Sequence, residues 1–481
     1  MNFLIVIIDT LRYDHIRAHG NDWIKTPNLD RLIEQSWDFS RSYCASYPTI
    51  PHRTDAITGR YGSPLFPWKP LRWDLPTLPW TLAEAGYATQ LIHDTPHLVN
   101  GGHNFDWPFN AWTQIRGAEV DRPWIDTRLQ WPGNWTRDPL FDFVDGEPQD
   151  MRLIPTYVRA NRLRAGHETW NCARLFRTAA AWLHDNLAQE RFLLWVDCFD
   201  PHEPWDVPPE FATLYDDDTA WDGRIDPRAF MVRDTAGAPE EAVRRIAALY
   251  AAKVTWVDRW LGELLDALEA TGRGDDTCVL LTSDHGTSLN ERGFFGKRAP
   301  IHEQEGHTPF IVRLPGGERG ESDIIVQPQD ILGTIADLAG VQPPEGADGF
   351  TVVEQARSGS GERDIALGGT AAGPWWADSP EQPLLTVFDD TWQMHLCAEP
   401  EHCRLMRLGD IAEVAGANSD VVERLWEAAQ QELRRRGIDQ RLLAWLHSGG
   451  EGELDEEIVY WDGYPGPPGY SAYFSRLWEE W

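Results

Sequence analysis

The chain has 481 residues, enough for one large domain with an appendage or for two or three smaller domains. Its 43 Lys and Arg against 76 Asp and Glu give a net charge of −33, which argues against nucleic acid or an anionic membrane as the main partner. The six cysteines are scattered without a CxxC pair, so neither a disulfide framework nor a zinc ribbon is expected. A small anion would need locally placed cations or a metal ion.

The first segment, MNFLIVIIDT, contains a short apolar run from Phe3 to Ile8 that ends in Asp9. The run is too short to span a membrane and carries no signal-peptide cleavage pattern. It therefore predicts a buried first strand of a cytoplasmic protein.

Short apolar runs then alternate with helical periodicity as far as about Leu338, a pattern typical of helices that cover a mostly parallel sheet. Helices are predicted to begin at Pro27 and after Pro239. We expect an α/β fold in which a mostly parallel sheet is sandwiched by helices. The predicted strands are Phe3–Ile8, Thr89–His93, Phe192–Val196, Cys278–Thr282 and Phe310–Arg313.

The composition predicts three regions along the chain. Residues 1–357 form the α/β domain, with a Trp-rich insertion of loops at about 100–166 that has little periodicity. Residues 358–450 form a small C-terminal α+β subdomain that includes a helix at Asp420–Arg435. Residues 451–481 are an aromatic tail, expected to pack on its own subunit or on a neighbouring one.

Polar residues follow three of the predicted strands. Asp9 ends the first, His202 in DPHEP follows Phe192–Val196, and Asp284 with His285 in SDHG follows Cys278–Thr282. Ligands of open parallel sheets bind at the carboxyl ends of strands, where a carboxylate and an imidazole can turn onto one metal ion. Taken alone, the pair of Asp284 and His285 more often marks a capped loop, and His202 alone could belong to an ordinary turn.

The stretch SYPTIPHRTDAITGRYG, residues 46–62, has the pattern of a nucleophile loop that enters a helix, with Thr49 at the reactive position. Free backbone N–H groups and the dipole at a helix N-terminus favour an anion. The loop therefore predicts an anion site next to Thr49.

Together these segments resemble the sulfatase branch of the alkaline phosphatase superfamily. The ordered set, which spans roughly residues 3–355, is specific although each piece alone is not. The matching segments are IIDTLRYDH, TPNLDRL, PTIPHRTDAITGRY against the family's Cys-x-Pro-x-Arg-x4-Thr-Gly loop, LAEAGYATQLI, DPHEPW, TSDHG followed by FGK, and QPQDILGTIADLAGV.

The resemblance implies roles for particular residues and a small anionic ester as substrate. It implies one divalent metal ion, Mn²⁺, Zn²⁺, Ca²⁺ or Mg²⁺, and a homo-oligomer. The metal ligands it implies are Asp9, Asp284, His285 and the oxygen of Thr49; the residues that hold the nucleophile, the anion or the leaving group are Arg53, His202 and Lys297.

Thr49 departs from the sulfatase pattern, in which a Cys or Ser is oxidised to formylglycine. The β-carbon of threonine already bears a methyl group, so its unmodified hydroxyl must form an ester that water later breaks. Threonine-bearing phosphodiesterases and phosphomutases of the superfamily use this route. We therefore expect a hydrolase of phosphate diesters or phosphonate monoesters that acts through Thr49. The alternatives are a sulfatase acting on sulfate esters or sulfamates, with Thr49 or Ser46, and a non-catalytic relative that binds metal and anion.

Two further departures concern charge. Thr10 stands where many sulfatases have a second aspartate, and the family's Lys-x-His is replaced by a stretch that contains His93, Asp94, Thr95 and His97. Loss of the lysine removes a cation, and a carboxylate there would repel an anion. His302 and His307 could complete a second metal site, but HTPFIVR also matches the stretch where single-metal members begin a strand, so we expect one ion.

Overall fold

The computed structural model describes residues 1–62, 68–100, 102–119, 121–124, 130–133, 135–148, 153–370, 385–397 and 399–436. The predicted tail, 451–481, lies outside the described residues, as do parts of the insertion and of the C-terminal region. Among the described helices, none combines the length and the apolar character that crossing a membrane requires.

The strands and helices follow one another along most of the described chain. The strands are β1 Asn2–Ile8, β2 Trp37–Ser42, β3 Ser46–Tyr47, β4 Ala88–His93, β5 Ala111–Gln114, β6 Phe192–Cys198, β7 Thr277–Thr282, β8 Ser288–Leu289, β9 Phe295–Gly296, β10 Phe310–Arg313, β11 Gly320–Val326, β12 Ala366–Thr370, β13 Leu385–Phe388, β14 Trp392–Leu396 and β15 Arg404–Arg407. The α-helices are α1 Pro27–Ile33, α2 Thr49–Thr58, α3 Leu78–Glu84, α4 Leu153–Ala160, α5 Asn171–Asp185, α6 Pro209–Ala212, α7 Glu240–Ala270, α8 Glu303–Gly306, α9 Asp330–Ala339, α10 Val352–Ser358 and α11 Ser419–Arg435.

The predicted mostly parallel sheet is confirmed. Eight strands lie in the order β11-β2-β10-β7-β1-β6-β4-β5, and the run from β7 to β5 is parallel. β10 is antiparallel to both of its neighbours. The central strands β7, β1 and β6 end at the same edge of the sheet, which is where the polar motifs emerge.

Alternate residues of β1 face two different hydrophobic cores. Leu4, Val6 and Ile8 belong to a cluster that includes the apolar sides of α5 and α7. Phe3, Ile5 and Ile7 pack on the opposite face with residues of α2, α3 and α9. Because both faces are covered, β1 is apolar throughout, which is why its sequence reads as a continuous hydrophobic run.

The insertion at about 100–166 contains more regular structure than its composition indicates. β5 pairs in parallel with β4 at the edge of the large sheet, and α4 contributes buried side chains such as Ile154 and Tyr157 to the core. The prediction of loops alone was therefore wrong at these two places, because β5 is exposed and its short AWTQ sequence carries no alternating apolar pattern.

A second sheet of five strands has the order β15-β14-β13-β12-β3. Its last member, β3, lies just before α2, and Gly369 and Thr370 of β12 pair with Ser46 and Tyr47. The C-terminal sheet therefore holds the segment that leads into Thr49.

Candidate active site

Asp9, Asp284 and His285 lie together at the carboxyl ends of β1 and β7. Each residue is buried, and each offers one ligand atom within 4.8 Å of the others. The backbone N–H of Thr10 donates to Asp284 Oδ1 at 2.9 Å, and the Thr10 hydroxyl donates to Asp9 Oδ1 at 2.7 Å. Thr10 therefore orients both carboxylates instead of adding a third.

The free lone pairs of this cluster suit a metal ion. His285 donates its Nδ1–H to the carbonyl of Gly286 at 2.8 Å, which leaves Nε2 as a lone pair that no described residue binds. Asp9 Oδ2 is also buried; it lies 3.1 Å from Arg53 Nη2 as an ion pair but accepts no hydrogen bond from the described residues. Burial lowers the pKa of His285 to about 4, so the ring is neutral at pH 7, as a metal ligand must be. The residues present therefore fit a divalent cation.

The two carboxyl groups respond differently to burial in the metal-free site. Burial, together with the charge of Asp284, raises the pKa of Asp9 well above its ordinary value. Burial also opposes ionisation of Asp284, but His285 and Arg53 outweigh it and lower the pKa of Asp284. A metal ion that screens the two charges would remove the reason for this asymmetry.

Thr49 is the first residue of α2 and is buried beside the cluster's cation, Arg53. Arg53 lies one turn along the helix and donates from Nη1 both to the Thr49 carbonyl at 3.3 Å and to Asp284 Oδ2 at 2.5 Å. This bridge ties the helix N-terminus to the carboxylates.

Arg53 has a further partner that the sequence did not indicate. Its Nε and Nη2 donate to Asp197 at 2.9 Å each, and Nη2 also lies 3.1 Å from Asp9 Oδ2. Asp197 is in β6, directly opposite Ile7 of β1, and it accepts a hydrogen bond from the Thr95 hydroxyl at 2.5 Å. Asp197 appears in sequence as one polar residue within an apolar strand, so only the register of β1 and β6 could reveal it.

A second group of polar residues surrounds Lys297, which follows the hairpin strand β9. The Lys297 ammonium donates to His202 Nε2 at 2.8 Å and to Glu203 at 3.1 Å. Burial raises the pKa of Asp9 and lowers the pKa of His285, and the positive charge of Lys297 acts on both groups in the direction of a lower pKa. The structure thus brings His202 and Lys297 together, along with Glu203, which the sequence did not indicate.

The protonation state of His202 follows from its contacts. Nδ1–H donates to the carbonyl of Glu203 at 2.7 Å, and Nε2 accepts from Lys297. Burial and the neighbouring ammonium lower the pKa of His202 to about 4, although Glu203 acts in the opposite direction. At pH 7 the ring is therefore neutral with no proton on Nε2.

Lys253 of α7 binds the backbone of the loop that carries His202. This buried ammonium donates to the carbonyls of His202 at 3.0 Å and Pro204 at 2.6 Å, and it pairs with Asp200 at 2.8 Å. Lys253 lies within a helical stripe, so its sequence pattern gave no sign of this role.

The stretch from His93 to His97, where the resemblance implied a departure from the family's Lys-x-His, contributes contacts within the protein. His93 Nδ1 donates to the Thr95 carbonyl at 3.0 Å, and the backbone N–H of Phe199 donates to Asp94 at 2.7 Å. Burial raises the pKa of Asp94 well above its ordinary value, which favours a neutral carboxyl. His97 Nε2 lies 2.7 Å from Glu119. The expected repulsion of an anion by Asp94 is thereby weakened.

His302 and His307 do not join the cluster. His307 stacks on Tyr13 at 4.0 Å between ring centroids, and its Nε2 donates to the Ser40 carbonyl at 2.9 Å. His302 lies against His395. Among the described residues, the one group with at least three suitable ligand atoms is Asp9, Asp284 and His285.

The fold and this site define a hydrolase of the alkaline phosphatase superfamily. The phosphonate monoester hydrolase of Agrobacterium radiobacter superimposes with a TM-score of 0.69 at 21% identity, over 95% of this chain and 98% of that one. The family model described as Sulfatase matches residues 1–341, and the chain belongs to the sulfatase family.

Curated relatives agree with this membership. The arylsulfatase of Clostridium perfringens is 24% identical over 73% of this chain and 77% of its own length. The choline-sulfatase of Rhizobium meliloti is 25% identical over 83% of this chain and 79% of its own.

Proposed function

We propose that the protein is a metal-dependent hydrolase of phosphate diesters or phosphonate monoesters that acts through a covalent ester on Thr49. The observation that carries this proposal is the unmodified threonine at the first residue of α2, beside Arg53 and the cluster of Asp9, Asp284 and His285. A hydroxyl at a helix N-terminus has backbone N–H groups next to it that can stabilise charge on the non-bridging oxygens of an ester.

One divalent ion, Mn²⁺, Zn²⁺, Ca²⁺ or Mg²⁺, held by Asp9, Asp284, His285 and the Thr49 oxygen would lower the pKa of the hydroxyl and screen the anionic ester. The Thr49 hydroxyl loses its proton and its oxygen forms a bond to phosphorus as the bond to the leaving oxygen breaks. The leaving oxygen takes up one proton, so the first product is an alcohol or phenol and no net proton is consumed. Water hydrolyses the phospho-threonine at phosphorus and restores the hydroxyl. Because the hydroxyl returns unchanged, no aldehyde is needed.

Lys297 is our candidate for stabilising the leaving group. The described residues supply two acceptors, His202 and Glu203, for its three N–H bonds, which leaves one N–H for a substrate oxygen. Direct proton donation by His202 would require that the bond to Lys297 break and that Nε2 become protonated. We therefore assign His202 the task of orienting Lys297, and assistance through Nε2 remains the alternative.

The test is a turnover assay of Mn²⁺-reconstituted protein on four aryl esters with one leaving group: a phosphate diester, a phosphonate monoester, a phosphate monoester and a sulfate. We expect the diester or the phosphonate to be the best substrate and Thr49→Ala to abolish turnover while metal content is retained. Thr49→Ser is the matched control, since it keeps the hydroxyl and should keep activity. An unimpaired Thr49→Ala variant would contradict the proposal.

A sulfatase acting on sulfate esters or sulfamates is the second candidate, favoured by the names of the curated relatives. Ser46 is an unsuitable substitute nucleophile, because its hydroxyl donates to the buried Asp55 at 2.9 Å. Sulfate as the best of the four substrates would select this candidate, with Thr49 again as the nucleophile. A non-catalytic binder would turn over none of them.

A further inference from the structure

The Arg53 guanidinium is almost wholly engaged by the protein itself. It carries five N–H bonds, of which four donate to Asp197, Asp284 and the Thr49 carbonyl. The remaining N–H is on Nη2, which lies 3.1 Å from Asp9 Oδ2. Three carboxylates therefore surround one cation.

Asp197 differs from the other two carboxylates in its position. Asp9 and Asp284 belong to the metal cluster, whereas Asp197 is outside it and binds the far side of the guanidinium through two oxygens. A small cavity behind the pair is lined by apolar side chains that include Leu91, Leu98 and Trp195. Water therefore does little to screen the charge of Asp197.

We propose that Asp197 sets the charge preference of the site: it offsets the positive charge of Arg53 and so favours esters with one negative charge over phosphate monoesters with two. This inference rests on the proposed function. A phosphate diester, a phosphonate monoester and a sulfate ester each carry one charge, whereas a phosphate monoester carries nearly two above pH 7. Repulsion by one additional carboxylate acts twice as strongly on a dianion as on a monoanion.

The second observation is that Asp197 is held as a carboxylate acceptor from two directions. Thr95 donates to Oδ1 at 2.5 Å, and Arg53 occupies both oxygens. Thr95 belongs to the stretch from which the family's lysine is missing. The same region of the molecule thus lacks the lysine that the resemblance would place there and contains the carboxylate of Asp197, and both features lower the affinity for a second negative charge.

The variant Asp197→Asn removes the charge and keeps the size of the side chain. We compare kcat/KM for an aryl phosphate monoester and an aryl phosphonate monoester with the same leaving group, at pH 8 and saturating Mn²⁺. The variant should raise the ratio of monoester to phosphonate turnover by roughly tenfold, the order expected for one partly screened charge several ångströms away. Thr95→Val is the matched control: it removes the hydrogen bond to Asp197 but no charge, so it should leave the ratio within about twofold of the wild type.

Calorimetric titration supplies a readout that does not depend on turnover. Inorganic phosphate should gain affinity in Asp197→Asn relative to dimethyl phosphate, whereas Thr95→Val should not alter their relative affinities. An unchanged ratio in Asp197→Asn, or an equal change in Thr95→Val, would overturn the assignment.

A wild-type measurement covers the case in which Asp197→Asn does not fold. If wild-type protein prefers the phosphate monoester to the matched phosphonate, the role assigned to Asp197 is likewise wrong. If no ester is turned over, the proposed function fails, but the titrations still decide the role of Asp197.

Discussion

Arg53 and Lys297 are two cations of one site with opposite surroundings. Arg53 lies among Asp9, Asp197 and Asp284 and has its donors directed at protein oxygens. Lys297 has one carboxylate, Glu203, and one neutral imidazole, His202. The two cations therefore differ in their contacts: Arg53 balances the buried carboxylates and fixes the helix N-terminus. We propose that Lys297 keeps a donor for the substrate.

The largest effect should come from Arg53→Met. In metal-free protein this variant leaves three buried carboxylates without their cation, so we expect a loss of about 3–5 kcal/mol in the free energy of unfolding, the range for a broken buried ion pair. Saturating Mn²⁺ should restore part of the loss, because the ion provides positive charge beside Asp9 and Asp284. Urea denaturation without and with Mn²⁺ measures the loss of stability and the part of it that the metal ion restores. A loss under 1 kcal/mol would contradict the claim that Arg53 contributes more to stability than Lys297.

Lys297→Met should act mainly on turnover. We expect kcat to fall by about a hundredfold, the scale of losing one donor to developing charge. The free energy of unfolding should drop less than in Arg53→Met, because the one carboxylate left behind, Glu203, still has Arg233 at 3.9 Å. Steady-state kinetics and urea denaturation of the same preparation separate the two effects. A variant as unstable as Arg53→Met would show that both cations serve the fold.

Lys253→Met should have a smaller effect on catalysis. Removing this ammonium frees the loop that positions His202, so we expect kcat to decrease by about tenfold, with KM changed less. Lys69→Met is the control, since Lys69 is exposed. Equal kinetics for the two variants would mean that the loop holds His202 without Lys253.

The last prediction concerns pH. His202 and His285 have pKa values of about 4 in the folded protein, below the ordinary 6.5. Between these values the unfolded chain binds more protons, so the free energy of unfolding should fall as pH decreases from about 6.5 to 4, by up to about 1.36 kcal/mol per pH unit for each histidine. Urea denaturation between pH 6.5 and pH 4 measures the free energy of unfolding for the metal-free wild type and for the His202→Gln variant. The variant should show the weaker pH dependence; identical slopes would contradict it.

Much of the fold was predictable because burial leaves a strong local signal. β1, β6 and β7 are covered on both faces, and their continuous apolar runs were identified to within one or two residues. β2 was missed because WDFSRS mixes polar and apolar residues without such a run. The antiparallel direction of β10 likewise depends on a chain path that no short segment encodes.

The residues of the candidate site also separate into those that local sequence predicts and those that depend on distant parts of the chain. Asp9, Asp284 and His285 come together as their motifs predict, since each follows a strand that ends at one edge of the sheet. The sequence could not identify Asp197 as a partner of Arg53. That contact requires Asp197 to lie opposite Ile7 of β1 and within hydrogen-bond distance of a residue on α2, a helix more than a hundred residues earlier in the chain. Local pattern therefore predicted which three residues gather in the cluster, and non-local register determined the partners of Arg53.

The measurement that tests the account most directly is mass spectrometry of wild-type protein quenched in acid during turnover of an aryl phosphonate. We predict a phosphonyl adduct on Thr49 within the peptide that spans residues 46–53. In Thr49→Ser, which keeps the hydroxyl, the adduct should stay on this peptide at a mass lowered by one methylene, and in Thr49→Ala it should be absent. Turnover without an adduct on this peptide, or with the adduct on another residue, would contradict the assignment of Thr49 as the nucleophile.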